Sequence, residues 1–160
     1  MAIYTKISRN DIISIEQKFN LGKIISFKGI KKGIENTNYL IRTKNNKYIL
    51  TIFEKRVQKK DLPFFMSLMD KLNNHKINCP KPQKSKKGNY LVNIKNKPAS
   101  IVSFVEGKEK NKLKIKDCYE IGKNIAKLHI ASKRIKLYRK NSLSLKEWPK
   151  LLNKIGNKSK

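Results

Sequence analysis

The chain has 160 residues, the size of one domain or of one domain with an appendage. Hydrophobic residues make up 38% and charged residues 31%, enough for a modest core, and no apolar run approaches the ~20 residues that span a membrane. Lys and Arg number 39 against 11 Asp and Glu, a net charge of +28 that raises the question of a nucleic-acid or anionic-membrane partner.

Residues 8–19, "SRNDIISIEQKF", read as a first helix. Ser8 is placed to cap it, Asp11 stands at the third helical position, and Ile12, Ile15 and Phe19 share one face, with Gly22 as a stop. Three strand-like runs follow over 23–29, 37–43 and 47–53, rich in Ile, Tyr, Leu and Phe. Asn45-Asn46 suits a tight hairpin turn, because asparagine tolerates positive φ. Asp61-Leu-Pro63 opens a second helix that ends near His75, with Phe65, Leu68, Met69 and Leu72 as its apolar face.

"NCPKPQKSKKGN" is a turn-rich connection, followed by a hairpin of "YLVNI" and "PASIVSFV" around "KNK". Glu106-Gly107-Lys108 ends that strand, and a charged linker runs to Lys114. A third helix over 115–132 carries Cys118, Ile121, Ile125, Leu128 and Ser132 at helical spacing, and one further helix begins near Trp148. The order of elements is helix, three antiparallel strands, helix, two strands, linker, helices. That is an α+β plan: a protein-kinase-like small lobe over 1–107, then the first helices of a larger lobe over 108–160.

Cys79 and Cys118 lie far apart without metal-ligand spacing, as reduced, buried thiols would in a cytoplasmic protein. "MAIYTKISRN" lacks the apolar core of a secretory signal. The lysines spread almost evenly from Lys6 to Lys160, and arginine, the better phosphate and guanine ligand, occurs only at 9, 42, 56, 134 and 139. Lysine, asparagine and isoleucine are abundant together, which suits codon bias. The expectation is therefore no specific nucleic-acid partner and no membrane, with a non-catalytic basic RNA-binding protein as an alternative.

The stretch between the first two strands, Gly29 to Asn38, is longer and more polar than a hairpin needs. A glycine-containing loop there can lie over nucleotide phosphates, since glycine lets the backbone approach and turn N–H groups face phosphate oxygens. On the glycine spacing alone an ordinary turn is the favoured explanation, since two glycines four apart are common in turns.

"FKGIKKGIENTNY" (27–39) resembles the small lobe of the type-II homoserine kinases, within the aminoglycoside phosphotransferase and choline kinase group. The likeness continues through "YILTIFEKRVQKKDLPFFMSLMDKLNNHKINCPKP" (48–82), "PASIVSFVEGK" (98–108), "CYEIGKNIAKLHIAS" (118–132) and "NSLSLKEW" (141–148). The resemblance implies ATP- and Mg2+-dependent phosphorylation of L-homoserine to O-phosphohomoserine, on the route to threonine. It implies a phosphate loop of Gly29, Gly33, Glu35, Asn36, Thr37 and Asn38, and an adenine hinge of Ile101, Ser103, Phe104 and Val105. A related kinase for choline or an aminoglycoside is the alternative within the group.

Two departures matter. The lysine that the wider group carries on the strand after the loop is Thr51 here, leaving Lys31, Lys32 or Lys47 as candidates to meet the phosphates. The "HxDxxxxN" loop and the later metal-binding Asp of this fold are absent, because histidine occurs only as His75-Lys-Ile and His129-Ile-Ala. The resemblance thus implies no catalytic residue and no metal ligand within these 160 residues. His75 should be exposed at a helix end and His129 packed or capping. If codon bias explains the charge, titration with labelled RNAs of several sequences should give weak, sequence-blind, steeply salt-dependent binding. Nanomolar affinity with a clear sequence preference would refute that.

Overall fold

The computed structural model describes residues 3–155 apart from Arg56 and Ser142; the end of the lysine-rich terminus lies outside the described residues. In chain order the elements are α1 (Arg9–Lys18), β1 (Ile24–Gly29), β2 (Thr37–Thr43), β3 (Lys47–Ile52), α2 (Leu62–Asn74), β4 (Leu91–Ile94), β5 (Lys97–Ser103), α3 (Ile115–Lys133) and α4 (Trp148–Ile155). The five strands form one antiparallel sheet in the order β1-β2-β3-β5-β4. The element order expected from sequence is the one observed.

α1 begins as its capping box dictates. Asp11 N–H donates to Ser8 Oγ at 3.3 Å, and Ser8 N–H donates back to Asp11 Oδ2 at 2.7 Å. The helix stops at Lys18, one residue earlier than expected, because Phe19 turns extended and bridges to Ser85. Gly22, at φ +82°, belongs to the turn into β1 and not to the helix end. Ile12, Ile15 and Phe19 bury themselves against Tyr39, Ile41, Tyr48, Leu50, Ile52, Ala99 and Ile101. This is the main core, between α1 and one face of the sheet.

Other expectations are corrected in detail. Neither Asn45 nor Asn46 adopts positive φ. The β2–β3 turn is closed by Thr43, whose N–H donates to Asn46 O at 2.9 Å and whose Oγ1 accepts Asn46 N–H at 3.1 Å. Positive φ falls instead on Lys95 and Asn96, the two-residue turn between β4 and β5, where right-handed strand twist favours it.

α2 keeps Leu72 buried and Leu68 and Met69 half-buried as expected, but adds Leu62 and Met66 to the buried face and leaves out Phe65. Leu62, Met66 and Leu72 are buried, while Phe65 is exposed and packs edge-on against Phe64 and under the Arg139 guanidinium. α2 is tied to the following connection by Asn73, whose Nδ2 donates to Met69 O at 2.8 Å and meets Cys79 Sγ at 3.2 Å. Asp70 stands beside Tyr90; burial first, and then this carboxylate, pushes the phenol pKa up to about 12.

α3 differs most from a packed helix, since of its residues only Ala131 is buried. Tyr119, Ile121, Ile125 and Ile130 are between 47% and 67% exposed. Cys118 is exposed, not buried as expected, and His129 is exposed rather than packed. His75 does cap α2 and is exposed. Between α3 and the end of α2 lies an open apolar groove of about 610 Å³, lined in part by Leu72, Ile77, Cys79, Ile121 and Leu128.

Two outcomes follow from this packing. Ser8→Ala should lower stability by about 1 kcal/mol in urea melts at neutral pH. The Ser8 backbone N–H above all holds the Asp11 carboxyl below its ordinary value, against partial burial, with the Ser8 hydroxyl and Lys95 adding to it. A carboxyl lowered by folding stabilises above its unfolded pKa, near 3.8, and loses that contribution as pH falls through the folded value. The stability gap between wild type and Asp11→Asn should therefore close in acid. Separately, the uncovered α3 side chains forfeit about 1.5–3 kcal/mol each relative to full burial. The chain should bind hydrophobic dye or self-associate, and a monodisperse, dye-silent monomer would contradict this.

Candidate nucleotide site

β1 and β2 stay paired up to Ile30, whose N–H donates to Asn38 O at 2.8 Å, and residues 31–36 bow out beyond that bond. Gly33 sits at φ +131°, a conformation that disfavours any Cβ. Gly29 is needed for another reason. Its missing Cβ points at the Ile3 side chain and the Tyr39 ring, so glycine here lets the N-terminal segment lie over the core face.

The second half of the loop is held from below. Tyr4 Oη donates to Ile34 O at 2.7 Å, and Glu54 N–H donates to Asn36 Oδ1 at 3.2 Å. Thr37 is wholly buried, and its hydroxyl donates to Glu54 Oε1 at 2.7 Å. Thr37 therefore contributes its side chain to the support of the loop, while Glu35 is exposed at the outside. Burial would raise the Glu54 pKa, but donation from Lys97, then from the Thr5 and Thr37 hydroxyls, outweighs it and holds the carboxyl below its usual value.

The face of the sheet away from α1 is set by register. Asn38, Thr51 and Ser100 stand in one row, and Leu40, Ile49 and Val102 in the next. Thr51 Oγ1 donates to Asn38 Oδ1 at 2.8 Å, so the position of the group's usual lysine carries a neutral hydrogen bond. Two of the three candidate cations are engaged elsewhere. Lys32 pairs with Glu109 at 2.7 Å, and Lys47 pairs with Glu106 at 2.6 Å while lying 5.5 Å from the Phe104 ring centre. The register adds a cation that the sequence reading missed. Lys28 is paired with Leu40 and shares its face, whereas neighbouring Phe27 packs against the core. The alternation of Phe27, Lys28 and Gly29 carries that signal only locally, because a register shift between Ile24 and Ser26 breaks the period earlier in β1.

At the far end of β5, Ser103 N–H donates to Lys81 O at 2.9 Å and Phe104 N–H to Lys47 O at 3.0 Å. Val105 follows where this pairing ends, and its side chain is exposed. Ile101 lies in the α1-side core, so Val102, not Ile101, stands on the open face. The arrangement brings the loop and the strand end to opposite ends of one face, with Leu40, Ile49 and Val102 between them, a geometry that can cradle phosphates at one end and a planar ring at the other. Among the described residues, no group of three or more His, Cys, Asp or Glu side chains is placed to hold a metal ion.

The chain is similar to several known proteins. Homoserine kinase of Methylocella silvestris is 41% identical over 156 residues, 98% of this chain and 49% of that protein. Homoserine kinase of Bradyrhizobium diazoefficiens is 36% identical over 159 residues, 99% of this chain and 49% of that one. The chain spans about half the length of these relatives. Among solved structures, an amicoumacin kinase in complex with AMP-PNP and Ca2+ matches with a TM-score of 0.69 at 16% identity, over 92% of this chain and 48% of its own. A spectinomycin phosphotransferase in complex with ADP and its antibiotic matches with a TM-score of 0.65 at 14% identity, over 96% of this chain and 48% of its own. These likenesses show the kinase-like small-lobe fold. The family model described as phosphotransferase enzyme family matches residues 26–155, most of the chain, and the protein belongs to that family.

Proposed function

We propose that this chain is the nucleotide-binding part of a homoserine kinase, which transfers the γ-phosphoryl group of ATP to the side-chain hydroxyl of L-homoserine. The observation that carries this reading is the identity of 36–41% to homoserine kinases along almost the whole chain, including the loop and the strand end. The solved structures support the fold alone, so their antibiotic substrates carry no weight for the acceptor here.

In this reading ATP lies against Leu40, Ile49 and Val102. The backbone of residues 31–36 faces the phosphates, with Gly33 supplying the turn and Lys28 or Lys31 the positive charge. The adenine edge meets the backbone at Val105, beyond the point where Ser103 and Phe104 have spent their N–H groups on Lys81 and Lys47. Magnesium ligands and the Asp that orients the hydroxyl would come from the part of the relatives that this chain does not cover. The chain by itself would bind nucleotide without turning it over, and its setting would be the cytoplasm.

The test joins this chain to the uncovered half of the Methylocella silvestris relative and measures homoserine-dependent ATP consumption. Choline and an aminoglycoside serve as competing acceptors, and turnover of either in preference to homoserine would overturn the assignment. In the same fusion, Gly33→Val should raise the ATP KM and lower kcat while leaving the melting temperature nearly unchanged, because the loop is exposed. Gly88→Val is the control, since Gly88 also has positive φ, at +81°, but lies in the turn before β4. A normal KM and kcat for Gly33→Val, or a loss explained fully by unfolding, would make Gly33 an ordinary turn glycine.

A further inference from the structure

Glu54 is unusual in a chain so poor in acids: its side chain is only 8% exposed, directly after β3. Oε1 accepts two hydroxyl protons, from Thr5 and Thr37, each at 2.7 Å. Oε2 takes the Lys97 ammonium, which also donates to Thr5 Oγ1 at 2.7 Å. Having given its one proton to Glu54, the Thr37 oxygen is left to accept, and it takes the N–H groups of Tyr4 at 3.0 Å and Thr5 at 3.1 Å.

That donor order follows from the carboxylate. An ionised Glu is acceptor-only, so every group around it must point a proton inward. A neutral amide of the same size would present protons toward Lys97 or the threonines, and one of those donors would lose its acceptor. Loss of a buried acceptor costs more than the bond's average worth, because the stranded donor stays out of water.

The consequence reaches the loop by two routes. Thr37 is the first residue after the loop, and the N-terminal segment that Thr37 anchors carries Tyr4, which holds Ile34; the Glu54 backbone N–H holds Asn36 whatever the side chain. We propose that Glu54 is the positioning residue of the nucleotide loop, fixing residues 34–37 before nucleotide arrives. Its carboxylate acts through Thr5, Thr37 and Lys97. It spares the ordering of the loop that binding would otherwise have to offset. The proposal rests on the reading that this loop covers the phosphates.

The test uses the full chain and two readouts. Without nucleotide, backbone heteronuclear NOEs of residues 33–37 should fall in Glu54→Gln, while amide exchange of β2, β3 and β5 stays as in wild type. Thr37→Ser, which keeps the hydroxyl, should hold the loop; Thr37→Val should loosen it. With nucleotide, titration of ADP should show Glu54→Gln binding about tenfold more weakly, and Thr37→Ser close to wild type. Unchanged loop NOEs in Glu54→Gln would overturn the proposal. So would loosening spread equally over the whole sheet, because Glu54 would then serve overall stability only. If wild type binds no ADP, the nucleotide reading falls for this chain, and the NOEs still decide whether Glu54 positions the loop.

Discussion

Antiparallel pairing of β2 with β3 and of β3 with β5 puts Tyr39, Leu50 and Ile101 in one row and Leu40, Ile49 and Val102 in the next. Side chains alternate along each strand, so this register assigns every residue to one of two faces, and a slip by one would exchange them all. The first row closes on α1 and makes the core. The second row stays available for a flat ligand. The loop after β1 and the strand end after β5 both emerge at the borders of this second face.

The acids are few, and the structure places several at joints between elements. Asp11 caps α1, Glu54 gathers the N-terminal segment and β5, and Asp61 meets Arg139 at 2.8 Å, drawing the segment after α3 back to the start of α2. Lys32–Glu109 and Lys47–Glu106 join the loop and β3 to the residues after β5. These last two pairs are exposed and contribute little to stability, since water screens them and long side chains resist being held. The buried Glu54 cluster differs in kind, because its hydrogen bonds are arranged in one direction and removing one partner strands the others.

Thr51 shows how the same fold position can change chemistry. A lysine there would bring a cation to the middle of the open face. Threonine instead donates to Asn38 at the root of the loop, and the register sets Lys28 of the edge strand on the same face. On the other side of the molecule, α3 presents isoleucines and a tyrosine to solvent beside an apolar groove. That is the signature of a helix whose packing surface is not supplied by the chain described here.

The sequence by itself determined the elements and their order, because hydrophobic period, capping residues and proline position are local signals. "SRND" predicts the capping box that forms, and "DLPFF" predicts a helix start one residue from the observed one. Relatives and fold were equally legible, through "GIENTNY" and the strand patterns. Tertiary structure decided what depends on which elements meet. Positive φ moved from Asn45-Asn46 to Lys95-Asn96 because hydrogen bonding by Thr43 satisfied the first turn without it. Met66 is buried while Phe65 lies at the surface with the guanidinium of Arg139, distant in sequence, against its ring. Thr37 reads as a phosphate-loop residue, and Glu54 and Lys97 as ordinary polar residues near strand ends. Only the pairing of β2, β3 and β5 brings them within hydrogen-bond distance, and a single sequence carries no local trace of that proximity.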